Sequence, residues 1–423
     1  MERDGAFSNK ALDSSLLKLD LPRRDKAFAS ALVYGVLERK ITLDYAVARF
    51  LTKSSKRLKP QVITILRMGA YQIYFMDKVP VSACVNECVK LAKNNKCEYS
   101  SGLINAVLRK AAQTEIEYPE GKDLPNFFSV RYSVEPHIAE GFIRDYGEVN
   151  AEKMLASSFG RPPVYIRVNT LRTSTEELKD MLLESGITAH NVNEVPNALM
   201  IENFDAIENN ELYLKGLFHV QDIASQICVS VLDPKAGETL VDMCSAPGGK
   251  SFTAGQYIKN SGKIISRDVY ESKIKMIESG AERLGIDIIS AEIADGALTP
   301  EKTEFADRVL CDAPCSGFGT LRRKPEIRYR QPGEISGLPA LQGEILRNAG
   351  KIVKRGGVLV YSTCTLNRSE NEDVVERFIC ENPEFEKADI LKNTDCFRRN
   401  KTVTLMPHLN NSDGFFICKM IKK

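Results

Sequence analysis

The chain has 423 residues, of which 43% are apolar, 27% charged and 8% aromatic, and its net charge is +2. That length exceeds one ordinary core and predicts two or three globular domains, and the composition excludes a disordered or fibrous chain. No apolar run approaches the roughly 20 residues that cross a bilayer. The start, MERDGAFSNK, is charged and lacks an apolar stretch, so no secretory signal and a cytoplasmic location are expected. Eleven cysteines include no C-x-x-C pair, which argues against a disulfide framework and against a four-thiolate metal site. Cys84, Cys88 and Cys97 are expected to be buried thiols acting as small apolar groups. Residues 1–60 carry 13 Lys and Arg against 7 Asp and Glu, a weak pointer to a polyanion-binding face.

In chain order, residues 1 to about 115 read as helices. Pro22 suits a first helical turn, and Phe28, Leu32 and Val36 follow at four-residue spacing. After Pro60 a second amphipathic run carries Ile63, Leu66, Ala70 and Tyr74. Pro80 opens a third, and Ile104, Val107 and Leu108 mark a fourth. Few strand signals interrupt them, so a small helical bundle is predicted. Near residues 115–135 the pattern lapses into Pro, Gly and Asp (TEIEYPEGKDLPN), which predicts a linker. Two short helices follow over 136–147 and 150–159. VYIRVNT, ALMIEN and FHVQD then read as strands around one helix, EELKDMLLESG, and form a small α+β module. From about residue 237, TLVDM, KIISRD, IDIISAEI, DRVLCD and GGVLVYST are apolar runs spaced by helical stretches. Such runs suit central strands covered on both faces, and their alternation with helices predicts a doubly wound α/β domain. The expected division is 1–130, 131–222 and 223–423.

In such a sheet, ligands bind beyond the carboxyl ends of the strands. The first run ends in Asp242 and passes into Cys244-Ser245-Ala246-Pro247-Gly248-Gly249-Lys250. Its two glycines let backbone approach a ligand closely and open a helix whose N–H groups face it. The second run ends in Asp268, at the spacing where an acid commonly takes a ribose hydroxyl pair. The third is followed by Asp295. The fourth ends in Asp312 and continues Ala313-Pro314-Cys315-Ser316-Gly317, and the fifth runs into Ser362-Thr363-Cys364-Thr365. Gly249-Lys250-Ser251 matches the tail of a P-loop, but Cys244 stands where that motif needs Gly, and no G-x-G-x-x-G occurs. One acid at a strand end is an ordinary turn residue, whereas three besides Asp242 form a constellation. Cys315 and Cys364 follow adjacent central strands directly. Both are expected to project into one crevice beside Asp312, which points to thiol chemistry.

These residues resemble the RNA 5-methylcytosine methyltransferases of the NOL1/NOP2/Sun family, and most closely its bacterial branch that acts on 16S ribosomal RNA. MCSAPGGK looks like that family's donor-binding loop, DAPCSGFGTLRRKPEIR like its fourth motif and VYSTCTLNRSENED like its sixth. DGFFICKM looks like its closing strand, and RVNTLR and FHVQDIASQ fit the region before its catalytic domain. LPRRDKAFASALVYGVL and LRMGAYQIYFMDKVP are similar to NusB-like RNA-binding domains. The resemblance implies an α/β protein, with a Rossmann-like class I methyltransferase domain preceded by a small α+β module and an all-α NusB-like helical domain. It implies S-adenosylmethionine as methyl donor and RNA, 16S ribosomal RNA above all, as partner. No membrane, no metal and a monomer are expected.

By position, the resemblance implies Cys364 as a nucleophile on carbon 6 of a cytosine, Cys315 as the group that assists release, and Asp312 beside the ring or donor. Cys244, Ser245, Ala246, Pro247, Gly248, Gly249 and Lys250 would hold the donor with Asp268 at the ribose, Asp295 near the adenine, and Asp312. Lys250 would also line the catalytic pocket. Carbon 5 of cytosine is too weak a nucleophile to take a methyl group unaided, and a thiolate added at carbon 6 corrects this. An acid near ring nitrogen 3 stabilises the charge that develops, and a base must afterwards take the carbon 5 proton. A free thiol titrates near about 8.5, so the nucleophile needs activation. Ser245 stands where alanine is usual, Tyr329 where tryptophan is frequent, and Arg267 is bulkier than usual before the ribose acid. Five cations between Leu321 and Arg330 are expected to meet phosphates. Single-stranded or extruded RNA is the expected substrate. Two alternatives stay open: a cytosine-C5 enzyme acting on transfer RNA or DNA, and a non-enzymatic NusB-like RNA-binding or antitermination factor.

Overall fold

The computed structural model describes residues 8–19, 21–51, 58–204, 206–390 and 401–423. The first seven residues of the charged start, on which the absence of a signal was argued, lie outside the described residues. The chain forms two compact units, one of residues 1–160 with 321–332, the other of 161–320 with 333–423.

The first unit is helical. Its core lies among helices Lys40–Ala48, Pro60–Phe75, Val81–Asn94 and Ser101–Ala111, where Leu43, Val62, Leu66, Val85, Ile104 and Leu108 are buried. Pro60 sits in the first turn of its helix, where a missing N–H loses no bond. Cys84, Cys88 and Cys97 are buried in this core, as expected. The stretch read as a linker holds a further helix, Leu124–Tyr132. Its polar start is a cap, with the Asp123 carboxylate accepting from Asn126 N at 3.2 Å. The two short helices expected over 136–147 and 150–159 are present within Pro136–Ala156, divided at Gly147, whose φ of 76° is not helical.

Residues 321–332 belong to this helical unit. The expectation that all five of their cations meet phosphate fails at Arg328, which is fully buried. Its guanidinium donates to Tyr132 O at 2.9 Å and to the carbonyl and hydroxyl of Ser158, and lies 4.5 Å from the centre of the Phe159 ring. Burial pulls its pKa down to about 10. Tyr329 donates its hydroxyl to Leu37 O and accepts from Lys40 N at 3.1 Å. These two side chains fasten the segment rather than read RNA.

The second unit holds two sheets. Strands β1 (Val164–Val168), β2 (Thr188–Asn191), β3 (Ala198–Glu202) and β4 (Phe218–Val220) form an antiparallel sheet ordered β2-β3-β1-β4. Leu178 and Leu182 of helix Thr175–Glu184 pack on it against Ile166, Val168, Leu199 and Phe218. Strand β2, a short and mostly polar edge, had no signal in the sequence pattern.

The larger sheet contains β5 (Thr239–Asp242), β6 (Lys263–Asp268), β7 (Ile289–Ile293), β8 (Ala306–Asp312), β9 (Val353–Thr363), β10 (Phe385–Lys387), β11 (Thr402–Leu405) and β12 (Phe415–Lys422). Its order is β10-β12-β9-β8-β5-β6-β7, with β11 also paired to β12. Strands β5 to β9 run parallel, and β12 enters antiparallel beside β9. Side chains alternate across the sheet. Leu240, Leu310, Val358 and Val360 pack with helix Ile223–Leu232, while Val241, Val309, Leu359 and Tyr361 pack with helix Leu338–Ile352. Both faces are covered, which is why the strands read as continuous apolar runs. Strand succession reverses between β5 and β8, so a crevice opens at their carboxyl ends.

Candidate functional site

The loop after β5 is a tight glycine turn. Gly248 has φ 104°, and a Cβ there would lie 2.4 Å from the Phe252 ring, so no other residue fits without strain. Gly248 N donates to Ser245 O at 2.7 Å, and Ser245 N donates to Arg267 O at 2.8 Å, which ties the turn to β6. Helix Gly249–Tyr257 begins here, so its unpaired N–H groups and positive dipole end border the loop. Asp242 lies beneath, buried, with Oδ2 accepting from Ser251 Oγ at 2.8 Å. Burial pushes its pKa up to about 7, against the pull of the Ser251 bond. Arg267, flagged for its bulk, is drawn to Glu292 at 3.4 Å. The Ser245 side chain is buried in the turn.

Asp268 ends β6 and accepts from Tyr270 N and Lys273 Nζ, both at 3.4 Å. Asp295 is exposed and accepts from Ala297 N at 2.9 Å. Large apolar side chains next to these acids are left open to solvent: Val269 is 46% exposed, Ile293 62% and Leu298 68%. Acids beside uncovered apolar surface suit a ribose diol and a purine, and the N–H groups of the glycine turn suit a carboxylate. The residues therefore fit S-adenosylmethionine.

The catalytic candidates come from β8 and β9. Their register pairs Asp312 with Ser362, so the loops carrying Cys315 and Cys364 leave adjacent strand ends. Ser362 Oγ donates to Asp312 Oδ1 at 2.8 Å, and Lys250 Nζ donates to Asp312 Oδ2 at 2.6 Å. Burial alone would lower the pKa of Lys250, but the Asp312 carboxylate, with Cys228 and Asp242 behind it, holds the ammonium above its ordinary range. The ammonium also lies 5.2 Å from the centre of the Phe415 ring. The sulfurs of Cys315 and Cys364 are 3.2 Å apart, and both residues are partly exposed. The bond to Cys364, followed by burial, drives the Cys315 thiol well above its usual pKa, so Cys315 keeps its proton beside its neighbour. Burial likewise raises the Cys244 thiol, which makes it a poor nucleophile.

The structure thus brings Asp312, Cys315, Cys364 and Lys250 together, with the glycine turn, Asp268 and Asp295 at the neighbouring strand ends. Sequence reasoning missed the groups that hold the two cysteine loops. Glu370, Gln342 and Asn371 are all fully buried there. The only signal for Glu370 and Asn371 was a cluster of polar residues, NRSEN, shortly after Cys364, and Gln342, within helix Leu338–Ile352, had none. Close backbone approach adds to the fastening, because a Cβ on Gly319 would meet Gly414 O at 1.9 Å. Among the described residues no helix is long and apolar enough to cross a membrane, and no group of His, Cys, Asp and Glu is arranged to hold a metal ion.

Strand order and glycine turn define a Rossmann-like methyltransferase. Residues 229–421 match the model of the 16S rRNA methyltransferase RsmB/F family, residues 1–113 that of the NusB family, and residues 137–208 the ferredoxin-like domain of RsmF/B-like methyltransferases. The chain is 35% identical over 440 residues to the probable ribosomal RNA small subunit methyltransferase B of Bacillus subtilis (strain 168), covering 100% of this chain and 96% of that protein. A Synechocystis relative of the same description is 32% identical, covering 100% and 97%. Among solved structures, the crystal structure of PH0851 is 28% identical, with a TM-score of 0.82 and coverage of 97% of this chain and 93% of that one. The chain belongs to the RsmB/F family of small-subunit ribosomal RNA methyltransferases, and S-adenosylmethionine is its methyl donor.

Proposed function

We propose that this protein methylates carbon 5 of a cytosine in 16S ribosomal RNA through a covalent bond between Cys364 and carbon 6. The observation that carries the reading is a pair of thiols 3.2 Å apart beside a carboxylate–ammonium pair at 2.6 Å. The Cys364 thiolate is stabilised by the Cys315 S–H and attacks carbon 6. The carbon 5–carbon 6 electron pair shifts to carbon 5 and is delocalised through carbon 4 onto ring nitrogen 3 and from there to the ring carbonyl. Asp312 can accept from the exocyclic amino group, while the Lys250 ammonium meets the negative charge that develops. S-adenosylmethionine supplies an electrophilic methyl group when bound. Once Cys364 is bonded to carbon, its sulfur no longer holds the Cys315 proton, and Cys315 can pass that proton to water. The Cys315 thiolate then takes the carbon 5 proton, the sulfur–carbon bond breaks, and Cys364 leaves as thiolate.

Cys364→Ser and Cys315→Ser variants test the roles. We expect no methylation from the first. The second should transfer methyl and remain bonded to RNA on denaturing gels. Methylation by Cys364→Ser together with its loss in Cys315→Ser would reverse the assignment. Bisulfite sequencing of RNA from a deletion strain tests the substrate: one 16S mark should vanish. An unchanged 16S map with a lost transfer-RNA mark would move the activity to transfer RNA. The NusB-like helices and the ferredoxin-like module are the elements to which we assign RNA choice.

A further inference from the structure

Two loops that leave different strands, 49 residues apart in sequence, must present their sulfurs to one ring within tenths of an ångström. A misplacement of about 1 Å at such a site lowers rate on the order of 100-fold. We infer that Glu370 is the positioning residue that fixes Cys315 against Cys364, an inference that rests on the two-thiol reading above. Its carboxylate is fully buried, so it contacts neither solvent nor a surface ligand. Oε2 accepts from Ser316 N, the residue after Cys315, at 2.8 Å, and from Gln342 Nε2 at 2.9 Å. The same Gln342 amide donates to the carbonyl of Pro314, the residue before Cys315, at 2.9 Å. Cys315 is therefore gripped on both sides through one carboxylate.

The other end of the grip is the Cys364 loop. Glu370 Oε1 accepts from Asn367 Nδ2 at 3.0 Å, and Glu370 O accepts from Tyr361 OH at 2.6 Å. Asn371 Nδ2 donates to Thr365 O at 3.0 Å, and the hydroxyls of Ser316 and Thr365 lie 2.7 Å apart. Gly319 N completes the link by donating to Cys364 O at 3.0 Å. Among these bonds, those of the Glu370 carboxylate alone join the Cys315 loop, the Cys364 loop and helix Leu338–Ile352 at one group.

A Glu370→Met variant fills the space and removes every acceptor of that side chain. We expect it to bind S-adenosylmethionine within about twofold of the parent by titration calorimetry, with an unchanged KM for RNA. Its kcat should fall about tenfold or more, as loss of hydrogen bonds to a charged group implies. The protein–RNA adduct should accumulate on denaturing gels as in Cys315→Ser, and combining the two changes should add little further loss. An Asn367→Asp/Glu370→Gln double variant moves the carboxylate along the loop and restores each bond, so it should recover turnover. Adduct at the parent level in Glu370→Met, or no recovery in the double variant, overturns the inference if Cys315→Ser itself accumulates adduct. If Cys315→Ser accumulates none, the two-thiol reading fails and this inference falls with it. Should Glu370→Met not fold, Gln342→Met withdraws the bridge to Pro314 and must give the same adduct; its absence there is equally decisive.

Discussion

Two pairs of neighbouring cysteines show what separates a packed thiol from a working one. Cys84 and Cys88 lie one helical turn apart on the buried face of Val81–Asn94. Their thiols donate to backbone carbonyls, Gly69 O at 3.5 Å and Ile65 O at 3.8 Å. Hydrogen bonding to Cys84, reinforced by burial, drives Cys88 far above an ordinary thiol pKa. Cys315 and Cys364, with sulfurs 3.2 Å apart, instead stand at open strand ends with the Lys250–Asp312 pair nearby. Proximity of sulfurs is common to both pairs; access and a charged partner belong to one.

Four experiments would break or sharpen this contrast. The largest expected effect is in Lys250→Met, which keeps the fold of the crevice but removes its cation. Its kcat should drop about 100- to 1,000-fold in single-turnover assays, the usual loss for a preorganised electrostatic group. A rate near the parent's would show that the charged partner does not distinguish the pairs. Next comes Gly248→Ala, which forces a left-handed residue against the Phe252 ring. Calorimetry should report donor affinity weaker by roughly tenfold or more, since strain of about 1–2 kcal/mol or above is imposed on the turn.

Cys88→Ala should lower stability by about 1–2 kcal/mol in denaturant titrations, by loss of packing in a tight core, with turnover unchanged. A fall in turnover at constant donor affinity would erase the distinction drawn above. The smallest effect concerns Asp242. Its folded pKa is raised to about 7, so the folded state binds the proton more tightly than the unfolded chain. Stability from this group is present at low pH and is lost as pH rises from about 4 through about 7. In Asp242→Asn that loss disappears. Melting curves should show the variant gaining on the parent by roughly 2–4 °C between pH 5 and pH 8. A constant difference across that range would contradict the raised pKa.

The parts of the site that were legible beforehand share one property: each sits directly after an apolar run. Asp242, Asp268 and Asp312, and the cysteines after β8 and β9, could be placed because continuous strands announce where their ends are. Glu370 and Gln342 could not, because they bond to each other and to the backbone of Ser316 and Pro314, 28 to 54 residues away, and no local pattern records a tertiary hydrogen bond. Arg328 misled for a related reason. In the run LRRKPEIRYR it looks like one more solvated cation, and only the helical unit around it supplies the carbonyls that make burial tolerable. Helix Leu124–Tyr132 was hidden by the Pro, Gly and Asp residues of its approach and cap, and β2, β10 and β11 are too short and too near an edge to carry a period.

The chain crosses from one compact unit to the other after Gly160, again after Thr320, and back after Pro332. No single cut of the polypeptide therefore yields two intact halves. A fragment starting at residue 161 would carry Leu321–Pro332 without Tyr132, Ser158 or Leu37, and the guanidinium of Arg328 would lose every acceptor it has here. That orphaned stretch begins six residues beyond Cys315. For recombination, a gene segment encoding the methyltransferase half is not a portable cassette. It includes twelve residues that belong to the helical unit, and any exchange of that unit has to preserve the acceptors of one arginine and one tyrosine.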